Sequence, residues 1–431
     1  MATVGKRFIS CIILFVFSSF FMINLIGASS VTWSNTYGNP EDDVLFGLIE
    51  ISDGGFAMVG YANSSELAFD FGYFDLYLVR TYENGAISLS SLYGGEDYDL
   101  ATALVEVSNG GFAIAGSTGS YGEGLNDFWL IKNNSTGNTL WSHTYGGEGH
   151  DHATALVEVS NGGFAIAGYT DSYGEGLNDF WLIKTDSTGN TLWNQTYGGE
   201  NNEYATALVE VSDGGFAIAG YTGSYGEGLN DFWLIKTDSK GNTLWSHTYG
   251  GEGHDLATAL VEVSDGGFAI TGSTGSYGEG LNDFWLIKTD STGNTLWNQT
   301  YGGENNEFAN ALVEVSDGGF AIAGYTGSYG EGLNDFWLIK TDSKGNTLWN
   351  QTYGGENNEY ATALVEVSDG GFAIAGYTYS YGVGYEGGTS DFWLIKTDEF
   401  GIIPEFQSWT ILSLLIAVTF MITIFRKISR R

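Results

Sequence analysis

Acids dominate the chemistry available to this chain. Two loops recur along it, YGGENNEYA and TGSYGEGLND, and one copy of the pair gathers Glu200, Glu203, Tyr225, Glu227 and Asp231. Carboxylates on glycine-flexible loops are what hard cations require, so calcium is the cofactor that Glu200, Glu203, Glu227 and Asp231 would take. The same acids would equally serve to keep loops solvated, and no Asp-x-Asp-x-Asp-Gly calcium loop occurs. His150, Asp151 and His152, then His254 and Asp255, stand where other copies carry Asn-Asn-Glu, but no third ligand set recurs beside them. Catalysis has little to work with. Residues 31–400 hold one arginine, Arg80, no cysteine, and neither GxSxG nor HExxH. Near-identical copies also lack the differentiated pocket that asymmetric chemistry needs. A non-catalytic chain is expected.

A second recurring set couples a glutamate with a cation, from Glu50 and Arg80 to Glu366 and Lys396; Glu210 and Lys236 represent it. Charges on otherwise apolar strands need partners, so an ion pair within or between repeats is expected.

The elements that carry these residues repeat. The tyrosine of TYG or LYG falls at Tyr37, Tyr93, Tyr145, Tyr197, Tyr249, Tyr301 and Tyr353, and GGF recurs seven times from Phe56 to Phe372. Each unit shows four strand signals, exemplified by Ala205–Val211, Phe216–Tyr221, Phe232–Thr237 and Thr243–Tyr249. Their β-branched and aromatic residues alternate with Gly, Asp and Asn turns that favour antiparallel hairpins. Periods of this length, with several short strands per unit, indicate propeller blades, with a β-solenoid as the competing architecture. The last unit stops after its third strand, Phe392–Thr397, while Val31–Tyr37 is an unpaired copy of the fourth. The fold expected is all-β, a seven-bladed β-propeller with four-stranded blades closed by one strand plus three, followed by one C-terminal transmembrane helix.

The ends differ from the array. Residues 1–29 read as a signal peptide, with Lys6 and Arg7 before an apolar run; an uncleaved anchor is the other reading. Residues 31–400 form the ectodomain and 401–408 a linker. Residues 409–425 are an uncharged apolar span, and 426–431 a basic tail that should stay cytoplasmic. Of 52 acidic residues, 51 lie within 31–400, against nine of 15 Lys and Arg. Such a field repels phosphate backbones and excludes nucleic acid as a partner. The only cysteine, Cys11, lies in the signal. Sequons at Asn63, Asn133, Asn134, Asn194, Asn298 and Asn350 agree with an exterior location.

Residues 31–400 resemble PQQ-like β-propeller repeats of archaeal and bacterial surface proteins. The motif carrying the likeness is Thr185–Trp193 (TDSTGNTLW), similar to the turn whose tryptophan docks on the neighbouring blade in quinoprotein dehydrogenases, and similar also to the sialidase Asp-box turn. Ile403-Pro404-Glu405-Phe406, the apolar span and the basic end resemble archaeal sorting tails, which implies an archaeal cell surface. The resemblance carries no quinone site, because no blade is differentiated to hold one, and the arginine cluster of sialidases is missing.

Function therefore reads as a surface-anchored module that binds or adheres to a protein or carbohydrate ligand, with a structural envelope component, and then a degenerate quinoprotein-like enzyme, as the other readings. Blades seven and one depart from the repeat. Tyr379, Tyr381, Tyr385 and Glu386 of one loop and Glu66, Phe69, Asp70 and Phe74 of another become neighbours on closure, and a recognition patch is expected there.

Overall fold

The computed structural model describes residues 32–63, 74–108, 110–160, 162–383 and 388–403. Twenty-eight strands form seven antiparallel four-stranded sheets among these residues. Blade four is typical: Glu203–Glu210 is innermost, then Phe216–Thr222, Asp231–Thr237 and the outer Thr243–Tyr249. Glycine makes its hairpins possible. Gly214 adopts φ +87° between the first two strands and Gly241 φ +81° between the last two.

Each blade is apolar on both faces because it is packed between two others. Phe232 faces blade five, its ring 4.9 Å from Trp285, while Trp233 faces blade three, 4.8 Å from Phe180. Such wholly buried phenylalanines each contribute about 2–3 kcal/mol. The outer Trp193 lies against Gly241 of the next blade's hairpin, where a methyl group would come within 2.8 Å of its ring, so the expected docking of that tryptophan is present. Every inner strand but the first carries Thr or Asn at a bulge, and Thr206 there donates to the Ala257 carbonyl of blade five at 2.9 Å. Thr362 makes the last such bond, to the Leu45 carbonyl of blade one.

The ring closes as the sequence indicates. Trp33–Tyr37 completes blade seven by pairing antiparallel with Asp391–Lys396, Trp33 opposite Lys396 and Tyr37 opposite Phe392. The closing junction packs Leu45, Phe56 and Met58 against Ala373, Phe392 and Leu394, as the other junctions do. Among the described residues no helix is long and apolar enough to cross a membrane; residues 1–29 and 409–425 lie outside them.

Candidate functional site

The YGG and YGEG loops share one end of the strands, and each blade junction there buries two carboxylates. Asp179 opens the third strand of blade three and Glu203 the inner strand of blade four; they are 1% and 0% exposed. Glu203 is well held, accepting the Gly199 amide at 2.7 Å and the Thr222 hydroxyl at 2.9 Å. Asp179 accepts the Glu175 amide on Oδ2, whereas its buried Oδ1 receives no N–H or hydroxyl donor and meets the Glu203 carboxyl, with which it can bond only by sharing a proton. Gly198 is what lets the two acids meet. A methyl group on it would lie 1.6 Å from Asp179 Oδ1 and 2.7 Å from Glu203 Oε2.

Burial, then the neighbouring Glu203, pushes the Asp179 carboxyl up to about 6. The arrangement recurs with Asp127 beside Asp151 and Asp283 beside Glu307, both first acids at about 6, and with Asp335 beside Glu359, at about 7. Across the closing junction Asp43, next to Asp391, reaches about 8, chiefly through burial. The four acids grouped from sequence as a calcium set do not converge: Glu203 meets Asp179, Asp231 meets Asp255 one junction further on, and Glu200 and Glu227 are exposed. Among the described residues no three Asp, Glu, His or Cys side chains are grouped to hold a metal.

The expected pairing of Glu210 with Lys236 does not form. Glu210 stands opposite Phe216 and Lys236 opposite Ala217, one residue out of phase, so the pleat sends them to opposite faces of the blade. Glu210 instead caps the preceding blade, accepting the Ser160 amide at 2.7 Å and hydroxyl at 2.9 Å. Lys236 turns to Asp213 in its own hairpin, 2.8 Å away. Blades two and three carry Asn109 and Asn161 in place of that aspartate, and Lys184 lies over the Phe216 ring, 5.3 Å from its centre.

At the seam between blades seven and one, Glu66, Phe69, Asp70, Tyr385 and Glu386 lie outside the described residues. Tyr381 is no specialised residue: it donates to the Gly354 carbonyl at 2.6 Å, just as Tyr225 donates to Gly198. Tyr379 and Phe74 do stand in a larger arrangement that single motifs concealed. Phe308, Tyr325, Tyr360, Tyr377 and Tyr379 follow one another at ring separations of 4.7–6.2 Å. Beyond the seam Tyr61, Phe74 and Tyr98 continue at 4.7 and 5.4 Å, and Tyr379 lies near enough to Tyr61 to disfavour its ionisation. Leu125, Leu177, Leu229, Leu281 and Leu333, one per YGEGL loop, are each more than half exposed. Their spacing was the available signal, an apolar residue kept at one position of an otherwise polar loop.

The sequons divide. Asn133 is fully buried and accepts the Phe112 amide, so the folded chain does not present it to a glycosylating enzyme. Asn134 is committed to its own turn, with Oδ1 accepting the Thr136 and Asn138 amides. Asn194, Asn298 and Asn350 are exposed, with Oδ1 held by Trp181, Trp285 and Trp337.

No family model matches the chain. It is 28% identical over 186 residues to the regulatory protein FlaEY of Caulobacter vibrioides, covering 37% of this chain but only about a fifth (19%) of that protein. Solved structures similar to it include the Pan2 WD40 domain of Neurospora crassa, at 10% identity over 85% of this chain and 96% of that one, TM-score 0.49. Sqt1 of Chaetomium thermophilum is 11% identical over 80% and 82% of the two chains, TM-score 0.49. A Bacteroides caccae protein of unknown function is 12% identical over 66% and 90%, TM-score 0.41.

Proposed function

We propose that the chain is a non-catalytic recognition module, displayed on the cell surface and engaging a protein or carbohydrate partner through the end of the propeller that bears the YGG and YGEG loops. The observation that carries this reading is the aromatic series from Phe308 to Tyr379, resumed by Tyr61, Phe74 and Tyr98 across the seam. Half-buried tyrosines give large contact area at little entropic cost, and the exposed leucines of the YGEGL loops at the same end of the strands suit a protein surface. Trp33 and Lys396 are register partners at the opposite end of the strands. An anchor formed by residues 409–425 would therefore leave the loop end facing away from the membrane.

The test replaces Tyr379 and Phe74 with Ser in the full-length chain and measures binding to whole cells and to a glycan panel. Loss of binding with an unchanged melting temperature supports the reading. Undiminished binding by a folded variant overturns it.

A further inference from the structure

Grooves open between neighbouring blades, and four junctions present the same one. Between blades two and three a groove of about 370 Å³ is lined by Glu123, Asp127, Tyr173, Trp181 and Asn194 among others. Its counterparts hold Glu279 and Asp283 with Tyr329 and Trp337, in about 460 Å³, and Glu331 and Asp335 with Tyr381 and Trp393, in about 1090 Å³. Between blades one and two Asp75, Tyr121 and Trp129 line about 570 Å³. Volumes of this order suit a side chain or a small ligand.

The charge on the lining is one-sided. Asp127, 2% exposed, lies at the floor, and its Oδ1 is buried with no hydrogen-bond partner; Asp283 and Asp335 are as deeply buried at the floors of their grooves, each beside a glutamate, Glu307 and Glu359, with which it can share a proton. Tyr173 and Trp181 form an aromatic wall, their rings 5.2 Å apart. The Tyr173 hydroxyl and the Trp181 indole N–H, the wall's own donors, are already given to Gly146 O and Asn194 Oδ1. Glu123 is exposed at the rim, and among the described residues no Lys or Arg lines any of the four grooves. A sugar could take donors from Thr144, Thr191 and the Asn194 amide, but it would leave the negative charge of the carboxylates unanswered. An ammonium or guanidinium group only donates, is drawn to carboxylates, and rests favourably on aromatic faces.

We infer that these inter-blade grooves are equivalent sites for the lysine and arginine side chains of a basic polypeptide, which the ring would engage at several junctions at once. Weak single contacts then add through multivalency. The inference rests on the binding reading above but uses a different part of the loop end, so the two fail separately. An entering cation would also favour the ionised form of Asp127, whose carboxyl burial holds at about 6, so binding near pH 6 should release protons.

The experiment titrates the full-length chain in detergent with hexalysine, and separately with a neutral hexasaccharide, at 150 mM salt, a condition that screens diffuse attraction. Rim charge is removed by Glu123→Gln, Glu279→Gln and Glu331→Gln together. A matched control removes the same charge from the opposite end of the blades by Asp186→Asn, Asp238→Asn and Asp290→Asn, since Asn also serves in such turns. The expected result is hexalysine binding at several sites per chain, with an enthalpy that depends on the buffer, weakened about fivefold by the rim variant and within about twofold by the control. Equal weakening in both variants would mean a diffuse acidic field, and the inference fails. It fails too if the hexasaccharide, rather than the peptide, binds and is lost in the rim variant.

Discussion

The two ends of a blade handle the same side chain in opposite ways. At the hairpin end Asp213 takes a hydrogen bond from Lys236, which holds its carboxyl below the usual range. Asp186 and Asp238 are lowered likewise, chiefly by hydrogen bonds from Asn190 and Asn242. At the loop end Asp179 and Asp335 receive one amide each, lose their water, and meet a second carboxylate, so both are pushed up. Burial first, and then the supply of donors, separates the two ends, not the number of acids. The hairpin end is thus finished as structure, and the loop end keeps unmet acceptor capacity.

The strongest way to break this contrast is to crowd the carboxyl pair. Gly198→Ala places a methyl group 1.6 Å from Asp179 Oδ1, and we expect a loss of about 3 kcal/mol or more in thermal or denaturant unfolding. Gly214→Ala, at the hairpin end, meets nothing within 4 Å and carries only the strain of φ +87°, about 1–2 kcal/mol. Equal costs would erase the distinction.

Acidity should move the two ends in opposite directions. A carboxyl raised to about 6 or 7 in the fold, as in Asp179 or Asp335, binds its proton more tightly when native. Its contribution is full below the ordinary carboxylate pKa and is lost as pH rises through 6 to 7. Asp213, lowered by Lys236, contributes above the ordinary value and loses that contribution as pH falls through its lower folded one. Asp179→Asn can offer Glu203 an N–H without needing a proton, so it should raise stability at pH 8 by about 1 kcal/mol and lessen, by the share of one junction among several, the fall in melting temperature between pH 5 and 8. A variant as pH-sensitive as the parent would count against the pairing of these acids.

The smallest effect belongs to the hairpin end. Lys236→Met keeps the aliphatic stem and leaves Asp213 with 59% of its side chain accessible, so water replaces the lost partner and the cost is about 1 kcal/mol, reduced by salt. Lys184→Met, in a blade where Asn161 stands in place of that aspartate, should show weaker salt dependence.

The 52-residue spacing, the strand signals and the unmatched Val31–Tyr37 copy made the ring and its closure legible, because backbone pairing follows local pattern. The partners of Glu210 and Lys236 were not, since a one-residue difference in register decides which neighbour each side chain meets. Asp179 and Glu203 belong to different blades and meet only through the glycine between them, which no linear motif encodes. Their signal was available nonetheless. The position of Glu203 stays acidic as Asp99, Asp151, Asp255, Glu307 and Glu359, while the residue that follows it ranges over Leu, His, Tyr and Phe. The aromatic series was hidden for the same reason: Phe308 and Tyr325, like Tyr360 and Tyr377, are opposed across the first two strands of one blade, and Tyr325 meets Tyr360 only across the junction with the next.

The pairing of Trp33–Tyr37 with Asp391–Lys396 also has a mechanical side. Trp33 and Lys396 are partners, so the chain leaves the ring in both directions from the same end of that two-strand seam. Tension applied between those two directions would peel the seam from Trp33 towards Tyr37, loading its hydrogen bonds one after another instead of together. The ring would then yield first as a clasp, with the other six blades intact and able to guide the strand back once the load is released.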